Sequence, residues 1–186
     1  MKIYIKNMVC KRCKMVVKSE VQKLGLHEVS IELGEAEIIE EISEKQMASL
    51  GQALRESGLD LINDKKSILV EKIKTIIIEL VHYSDEQIKT NLSVYLSEKL
   101  NYNYTYIANL FTEKKGVTIE QFYLSHKIEK VKELLIYDEL NLTEIAYKMH
   151  YSSVAHLSIQ FKKMTGLTPT QFKSLKSHNR RTLSDM

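Results

Sequence analysis

Apolar and polar residues along the first 62 positions fall into six short blocks whose periods switch between two and about 3.6. Ile3 and Ile5 alternate with Lys2, Tyr4 and Lys6, the pattern of a half-buried strand. Val16, Val17, Val21 and Leu24 recur at helical intervals within Lys11–Leu24, and Gly25 stops that helix. His27–Leu33 alternates again through Val29, Ile31 and Leu33. Gly34-Glu35 is a turn, and Ala36–Glu41 returns as the second strand of a hairpin. Ser43–Ser57 opens on a capping residue, carries Met47, Leu50 and Leu54, and ends at Gly58, after which Leu59–Ile62 is a last short strand. The order βαββαβ predicts an α+β sandwich of one sheet and two helices, closed by the polar boundary Asp64-Lys65-Lys66.

Beyond that boundary the helical period takes over. Ile68, Leu69, Ile73, Ile76, Ile77, Leu80 and Val81 form a broad apolar stripe, expected to be mostly buried, and Asp85–Asn91 is a polar link. The chain then repeats itself at a period of 50 residues. Ile107–Phe122 aligns without a gap on Leu157–Phe172, matching Phe111 to Phe161, Gly116 to Gly166, Thr118 to Thr168, Gln121 to Gln171 and Phe122 to Phe172. Upstream, Leu92-Ser93 matches Leu142-Thr143, each opening a short helix. Each copy therefore predicts a short helix, a tight turn and a second helix with a polar outer face, which is helix-turn-helix geometry. In the second copy Val154, Leu157, Phe161 and Met164 make the inward stripe. Ser153, Ala155, His156, Ser158, Ile159, Gln160, Lys162 and Lys163 face outward. Between the copies, Thr118–Asp138 predicts one long helix with Ile119, Phe122, Ile128, Val131, Leu134 and Leu135 inward. If both second helices enter successive major grooves on one face of a duplex, they stand about one helical turn, ~34 Å, apart.

Charge sharpens this picture. The net charge of +3 is modest, but seven Lys or Arg and no Asp or Glu lie between Glu144 and Asp185, the footprint of a phosphate-facing surface. No apolar run is long enough to span a bilayer and no signal-peptide pattern follows the N-terminus, so a cytoplasmic protein without membrane contact is expected. The two cysteines are then free thiols, a metal site or a redox pair, not a structural disulfide. No Ser/His/Asp arrangement, carboxylate pair or phosphate-cradling glycine loop is present, and the six His show no clustered spacing. No enzyme is expected, and no organic cofactor.

Cys10 and Cys13 sit where the first strand gives way to the first helix. A Cys-x-x-Cys there brings both sulfurs to one point, and the helix N-terminus with Lys11, Arg12 and Lys14 favours thiolates. Two thiolates suit a soft ion, Cu(I) above all, with Zn(II), Cd(II) or Hg(II) if further ligands join. A homodimer would present two such pairs. Met8-Val9-Cys10-Lys11-Arg12-Cys13 in a βαββαβ setting resembles the heavy-metal-associated domain of copper chaperones and metal-transporting ATPases, over residues 1–64. The resemblance implies a ferredoxin-like fold, Cys10 and Cys13 as metal ligands, and Met8 as a buried support for the loop. Asn7 and Val9 stand where that family has Gly and Thr.

The repeat, with Phe161-Lys162-Lys163, Gly166, Thr168-Pro169 and Phe172-Lys173, resembles the AraC-type transcription regulators over about residues 67–177. It implies an all-α domain with two helix-turn-helix motifs joined by a long helix, reading double-stranded DNA. Lys127-Ile128 with Leu134-Leu135 fits the linker-helix pattern, with Lys for the common Arg. His150-Tyr151 stands for the usual Gly-Phe, and Ile159 where Arg is common. Carried over position by position, the DNA-contacting residues are Asn103, Tyr104, Thr105, Ala108 and Asn109 in the first motif. In the second they are Ser153, Ala155, His156, Ile159, Gln160 and Lys163. Asn and Gln pair bidentately with adenine, Ile159 meets a thymine methyl, and Lys163 meets phosphate.

The resulting organisation is a heavy-metal-associated-like domain at 1–64, a connecting helix and linker at 65–91, a double helix-turn-helix domain at 92–177 and a basic tail at 178–186. The expected function is a transcriptional regulator responsive to a thiophilic metal. A redox or dimerisation role for the N-terminal module, or a metallochaperone-like protein, are the alternatives.

Overall fold

The alternation at the N-terminus is realised as β1 (Lys2–Lys6), with Ile3 and Ile5 buried on one face. Strands β2 (Val29–Glu32) and β3 (Glu35–Ile38) form the hairpin, and β4 (Asp60–Ile62) completes a four-stranded antiparallel sheet of order β2-β3-β1-β4. Ile3 pairs with Ala36 and Ile5 with Leu61, which fixes which residues share the buried face. Helices α1 (Lys11–Lys23) and α2 (Glu44–Glu56) cover that face. Val17, Val21, Leu50 and Leu54 close the core with Ile5 and Ile38. Ser43 and Gln46 form a reciprocal capping box that starts α2. Both hairpin strands are shorter than the sequence suggests. Leu33 instead turns inward as the chain bends, and Ile39, beyond the end of β3, is exposed.

The chain is a computed structural model that describes residues 1–175 apart from 28, 85–87 and 89. The basic tail expected at 178–186 and part of the 85–91 link lie outside the described residues. Two compact units result: Met1–Ile76 with Thr90–Gly116, and the described residues of Ile77–Lys89 with those of Val117–Met186.

In the first unit α3 (Lys65–Ile78) starts where Asp64 accepts the Ser67 N–H, and it buries Leu69, Val70 and Ile73. Tyr4 lies on the sheet face opposite Ile3 and Ile5, and the Lys72 ammonium sits 5.2 Å from its ring centre. Thr75 Oγ1 reaches the hairpin turn at Gly34, which has φ +82. A Cβ there would lie 3.0 Å from that hydroxyl in a backbone conformation that already disfavours side chains. The unit also holds α4 (Leu92–Leu100) and α5 (Tyr104–Lys115). Leu96, Ile107, Leu110 and Phe111 are buried.

In the second unit Ile77, Ile78 and Val81 continue the apolar stripe, but the α-helix gives way to a single π-helical turn over Glu79–Tyr83, which the sequence pattern does not announce. Helix α6 (Ile119–Tyr137) begins at a Thr118/Gln121 capping box, α7 (Leu142–Lys148) at an Asn141/Glu144 box, and α8 (Val154–Thr165) at Ser153. Ile128, Val131, Leu135, Ile145, Ala146, Leu157 and Phe161 form the core. Gly166, with φ +80, closes α8, and helical conformation resumes at Pro169 behind a Thr168/Gln171 box. Met164 departs from the expected inward stripe. It is exposed, while the next residue, Thr165, is half-buried with its hydroxyl donating to the Phe161 carbonyl.

Candidate nucleic-acid interface and thiolate pair

The 50-residue repeat is matched in three dimensions by capping as well as burial. Asn103 and Ser153 each cap the helix they precede, accepting backbone N–H groups of Thr105 and His156. Gly116 and Gly166 end those helices in the left-handed region, and Phe111 and Phe161 are completely buried. The turns differ. The left-handed residue is Asn101 in the first motif and His150 in the second, so this feature is offset by one position from the repeat. His150 at φ +53 explains why glycine is common there in the family it resembles.

The outer face of α8 exposes Ala155, His156, Ile159, Lys162 and Lys163, with Gln160 half-buried. His156 is held in place: its Nδ1 lies 3.0 Å from Ser152 Oγ, and its ring meets Tyr151 edge-on with centroids 5.4 Å apart. On α5 the exposed residues include Thr105 and Asn109, while Tyr104 and Ala108 are half-buried. Asn103 and Ser153 serve as caps, so their side-chain oxygens are already engaged by the backbone. Tyr106 was not among the expected contacts although the repeat aligns it with His156. It is exposed and stacks on Tyr102 with centroids 5.8 Å apart. Carrying the repeat through one more position identifies it. The structure also joins two histidines that sequence spacing does not relate: His82 Nε2 lies 3.2 Å from His126 Nδ1, with the His82 pKa lowered first by burial and then by Lys130.

Behind α8, Tyr151 is buried and its hydroxyl has no hydrogen-bond partner among the described residues. Lys127 of α6 places its ammonium 4.1 Å from the Tyr151 ring centre and 5.7 Å from that of Tyr123. A phenylalanine would fill the same volume without a stranded hydroxyl, whose desolvation costs about 1–3 kcal/mol. Tyr151→Phe is therefore expected to stabilise the second unit by about 1 kcal/mol, read from denaturant midpoints. Burial pushes the Lys127 pKa down to about 8 and the Tyr151 pKa up to about 12. Between about pH 8 and 10 the unfolded chain keeps the Lys127 proton that the folded chain has released, so stability rises with pH across that window. Above it the unfolded chain loses tyrosine protons that the folded chain retains, and the sign reverses. Lys127→Met should flatten the rise, and unfolding curves at pH 7.5, 9 and 10 test it.

At the other end of the chain Cys10 is the N-cap of α1 and Cys13 lies in its first turn, with their sulfurs 3.4 Å apart. The Cys13 backbone N–H holds the Cys10 thiol below the usual thiol range. Burial opposes this, and the Cys13 side chain and Arg12 assist. Lys14, next to Cys13, is paired with Glu32 at 2.5 Å. Two thiolates sharing one ion at ~2.3 Å bonds and a tetrahedral angle would stand about 3.8 Å apart, so the pair fits one soft ion after a small adjustment. Among the described residues no cluster of three or more His, Cys, Asp or Glu forms, which does not suit a closed four-ligand zinc site. Met8 is buried beneath the loop.

A family model described as a helix-turn-helix domain matches residues 96–174. The uncharacterized HTH-type transcriptional regulator YtdP of Bacillus subtilis (strain 168) is 23% identical over 158 residues, covering 81% of this chain and 20% of that protein. The uncharacterized HTH-type transcriptional regulator SAS0078 of Staphylococcus aureus (strain MSSA476) is 33% identical over 78 residues, covering 42% of this chain and 10% of that protein. The chain thus spans a fifth or less of these relatives' length. Among solved structures, the C-terminal domain of AraT, a response regulator from Geobacillus stearothermophilus, superposes with a TM-score of 0.52 at 25% identity. That match covers 60% of this chain and 88% of the AraT domain. The C-terminal part of the chain is a helix-turn-helix DNA-binding domain. In chain order two helix pairs, α4–α5 and α7–α8, flank the long helix α6. No helix of the described residues is long and apolar enough to cross a membrane.

Proposed function

We propose that the protein is a sequence-specific transcriptional regulator acting in the cytoplasm, and that its DNA affinity responds to a thiophilic metal ion such as Cu(I) held by Cys10 and Cys13. The observation that carries the first part is the repeated, capped reading helix. Its second copy presents Ala155, His156, Ile159, Lys162 and Lys163 outward over a fully buried Leu157 and Phe161. Basic residues at the end of α8 supply phosphate contact, and the small and apolar residues before them leave room for base edges. In the first motif Thr105, Tyr106 and Asn109 take the corresponding positions. Thr112 and Glu113 stand where the second motif has Lys162 and Lys163, and the lysines of α5 follow two positions later at Lys114 and Lys115.

The metal reading is supported by the lowered Cys10 pKa and the 3.4 Å sulfur separation at a helix N-terminus. It is further supported by the strand order β2-β3-β1-β4 with both helices on one face, the arrangement of a ferredoxin-like, heavy-metal-associated-type module. The close sulfurs also favour a second reading, a dithiol that oxidises reversibly and signals redox state. Selection of bound duplex sequences with and without Cu(I), for the full chain and for Cys10→Ser/Cys13→Ser, tests the proposal. Expected is an enriched motif in every arm, with metal-dependent affinity only for the chain with both thiols. Equal affinity in all arms would reject the metal response, and a loss of two mass units together with altered binding on oxidation would favour the redox reading.

A further inference from the structure

Glu71 is the one buried charged residue among the described residues, and it sits on α3 between the start of the cysteine loop and the end of α5. Its Oε2 accepts the backbone N–H of Asn7 at 3.4 Å, the residue that leads into Met8, Val9 and Cys10. Asn7 stands in the left-handed region at φ +67, and its side chain donates to the Gly58 carbonyl at 3.3 Å, so the start of the cysteine loop is held from two sides. The same carboxylate takes Lys74 at 2.8 Å and Lys115 at 3.5 Å. Lys115 is the last residue of α5, the first reading helix, and Asn7, Glu71, Lys74 and Lys115 all belong to the same compact unit. Asp64, at the start of α3, has its pKa lowered first by its hydrogen bond to Ser67, with Lys114 of α5 contributing.

One buried carboxylate thus serves two lysines and a backbone N–H, with one positive charge in excess. Such an arrangement has little slack. If the loop moves Asn7 and the carboxylate follows it, the distance from Glu71 to Lys115 changes. We infer that Glu71 is the positioning residue through which the state of the Cys10–Cys13 loop reaches the first reading helix. The inference rests on the reading of α5 as DNA-binding and of the thiol pair as the responsive site. It adds the route between them: drawing the two sulfurs onto one centre resets the loop, Asn7 shifts against Glu71, and Lys115 re-sets the end of α5. Linkage requires the reverse as well, so DNA bound to α5 changes the affinity of the thiol pair by the same factor.

The test uses the full chain and measures DNA affinity by titration in two arms: before and after Cu(I), and before and after alkylation of both thiols with iodoacetamide. The second arm does not depend on metal binding. Stoichiometric Cu(I) titration is followed separately. Removing Glu71 itself risks misfolding, because two lysines would be left facing each other. The informative variant is therefore Lys115→Met, which keeps the Glu71–Lys74 pair, with Lys115→Arg as the conservative rescue. The wild-type chain should change its DNA affinity roughly fivefold or more in at least one arm, the lower end of ordinary allosteric coupling. Lys115→Met should reduce that ratio to near one, and Lys115→Arg should restore it. A response in Lys115→Met equal to wild type overturns the inference and leaves the metal-responsive reading intact. Cu(I) failing to bind overturns the metal reading, and the alkylation arm then decides the inference alone. A wild-type chain whose DNA affinity ignores both metal and alkylation overturns it outright.

Discussion

Phe161→Ala is expected to lower the stability of the second unit by about 3–5 kcal/mol, the usual cost of removing a fully buried aromatic ring. The ring is completely inaccessible, and it meets Phe172 edge-on at 5.6 Å between centroids. Phe172 follows the Thr168/Gln171 capping box, so the ring ties α8 to the helical segment behind it and to the core made with Ile128 and Leu157. Truncation would open a cavity at a point where several elements converge and where collapse is hindered. Because Phe161 and its repeat partner Phe111 lie in different compact units, amide hydrogen exchange gives a sharper readout than one global melting curve. Protection should fall in α7 and α8 and persist in α5. Phe111→Ala should do the converse. Equal loss of protection in both reading helices from either substitution would mean that the units open together.

Much of this architecture was legible in the sequence because its signals are local. Ser43, Asn103, Thr118, Asn141 and Ser153 are short polar side chains at helix starts, and each caps a helix. Gly116 and Gly166 stop the two reading helices for the reason the sequence suggests, a left-handed backbone. What escaped depends on partners far along the chain. The π-helical turn at Glu79–Tyr83 follows an uninterrupted apolar stripe, and nothing in the 3.6 period marks where the ladder slips. Glu71 reads as an ordinary solvated carboxylate between Val70 and Lys72. It is buried, and two of its partners, Asn7 and Lys115, are 64 and 44 positions away. Tyr106 was different, since the repeat placed it opposite His156 and needed only to be extended.

Ile159→Glu is expected to reduce affinity for the selected duplex about 100-fold, roughly 2.8 kcal/mol at 1.4 kcal/mol per tenfold change, while leaving the fold unchanged. Ile159 is 70% exposed on the outer face of α8, so little packing is lost. Glutamate is the better helix former, and at this position it precedes Lys163 by four residues, an arrangement that supports an isolated helix by a few tenths of a kcal/mol. The loss in DNA binding has two sources. Removing an apolar contact to a base costs part of the 1–3 kcal/mol that a good base contact contributes, and a carboxylate there is held against the phosphate field. The new charge also draws Lys163, and through it the salt dependence of binding should weaken by about one phosphate contact. Tyr137→Glu is the matched control, since Tyr137 is 65% exposed at the end of α6 and gains the same charge away from the reading face. Titrations of both variants across a range of salt concentrations separate the two sources. If Ile159→Glu binds with the affinity and salt slope of Tyr137→Glu, α8 does not face the groove, and the basic stretch that follows it must serve another partner.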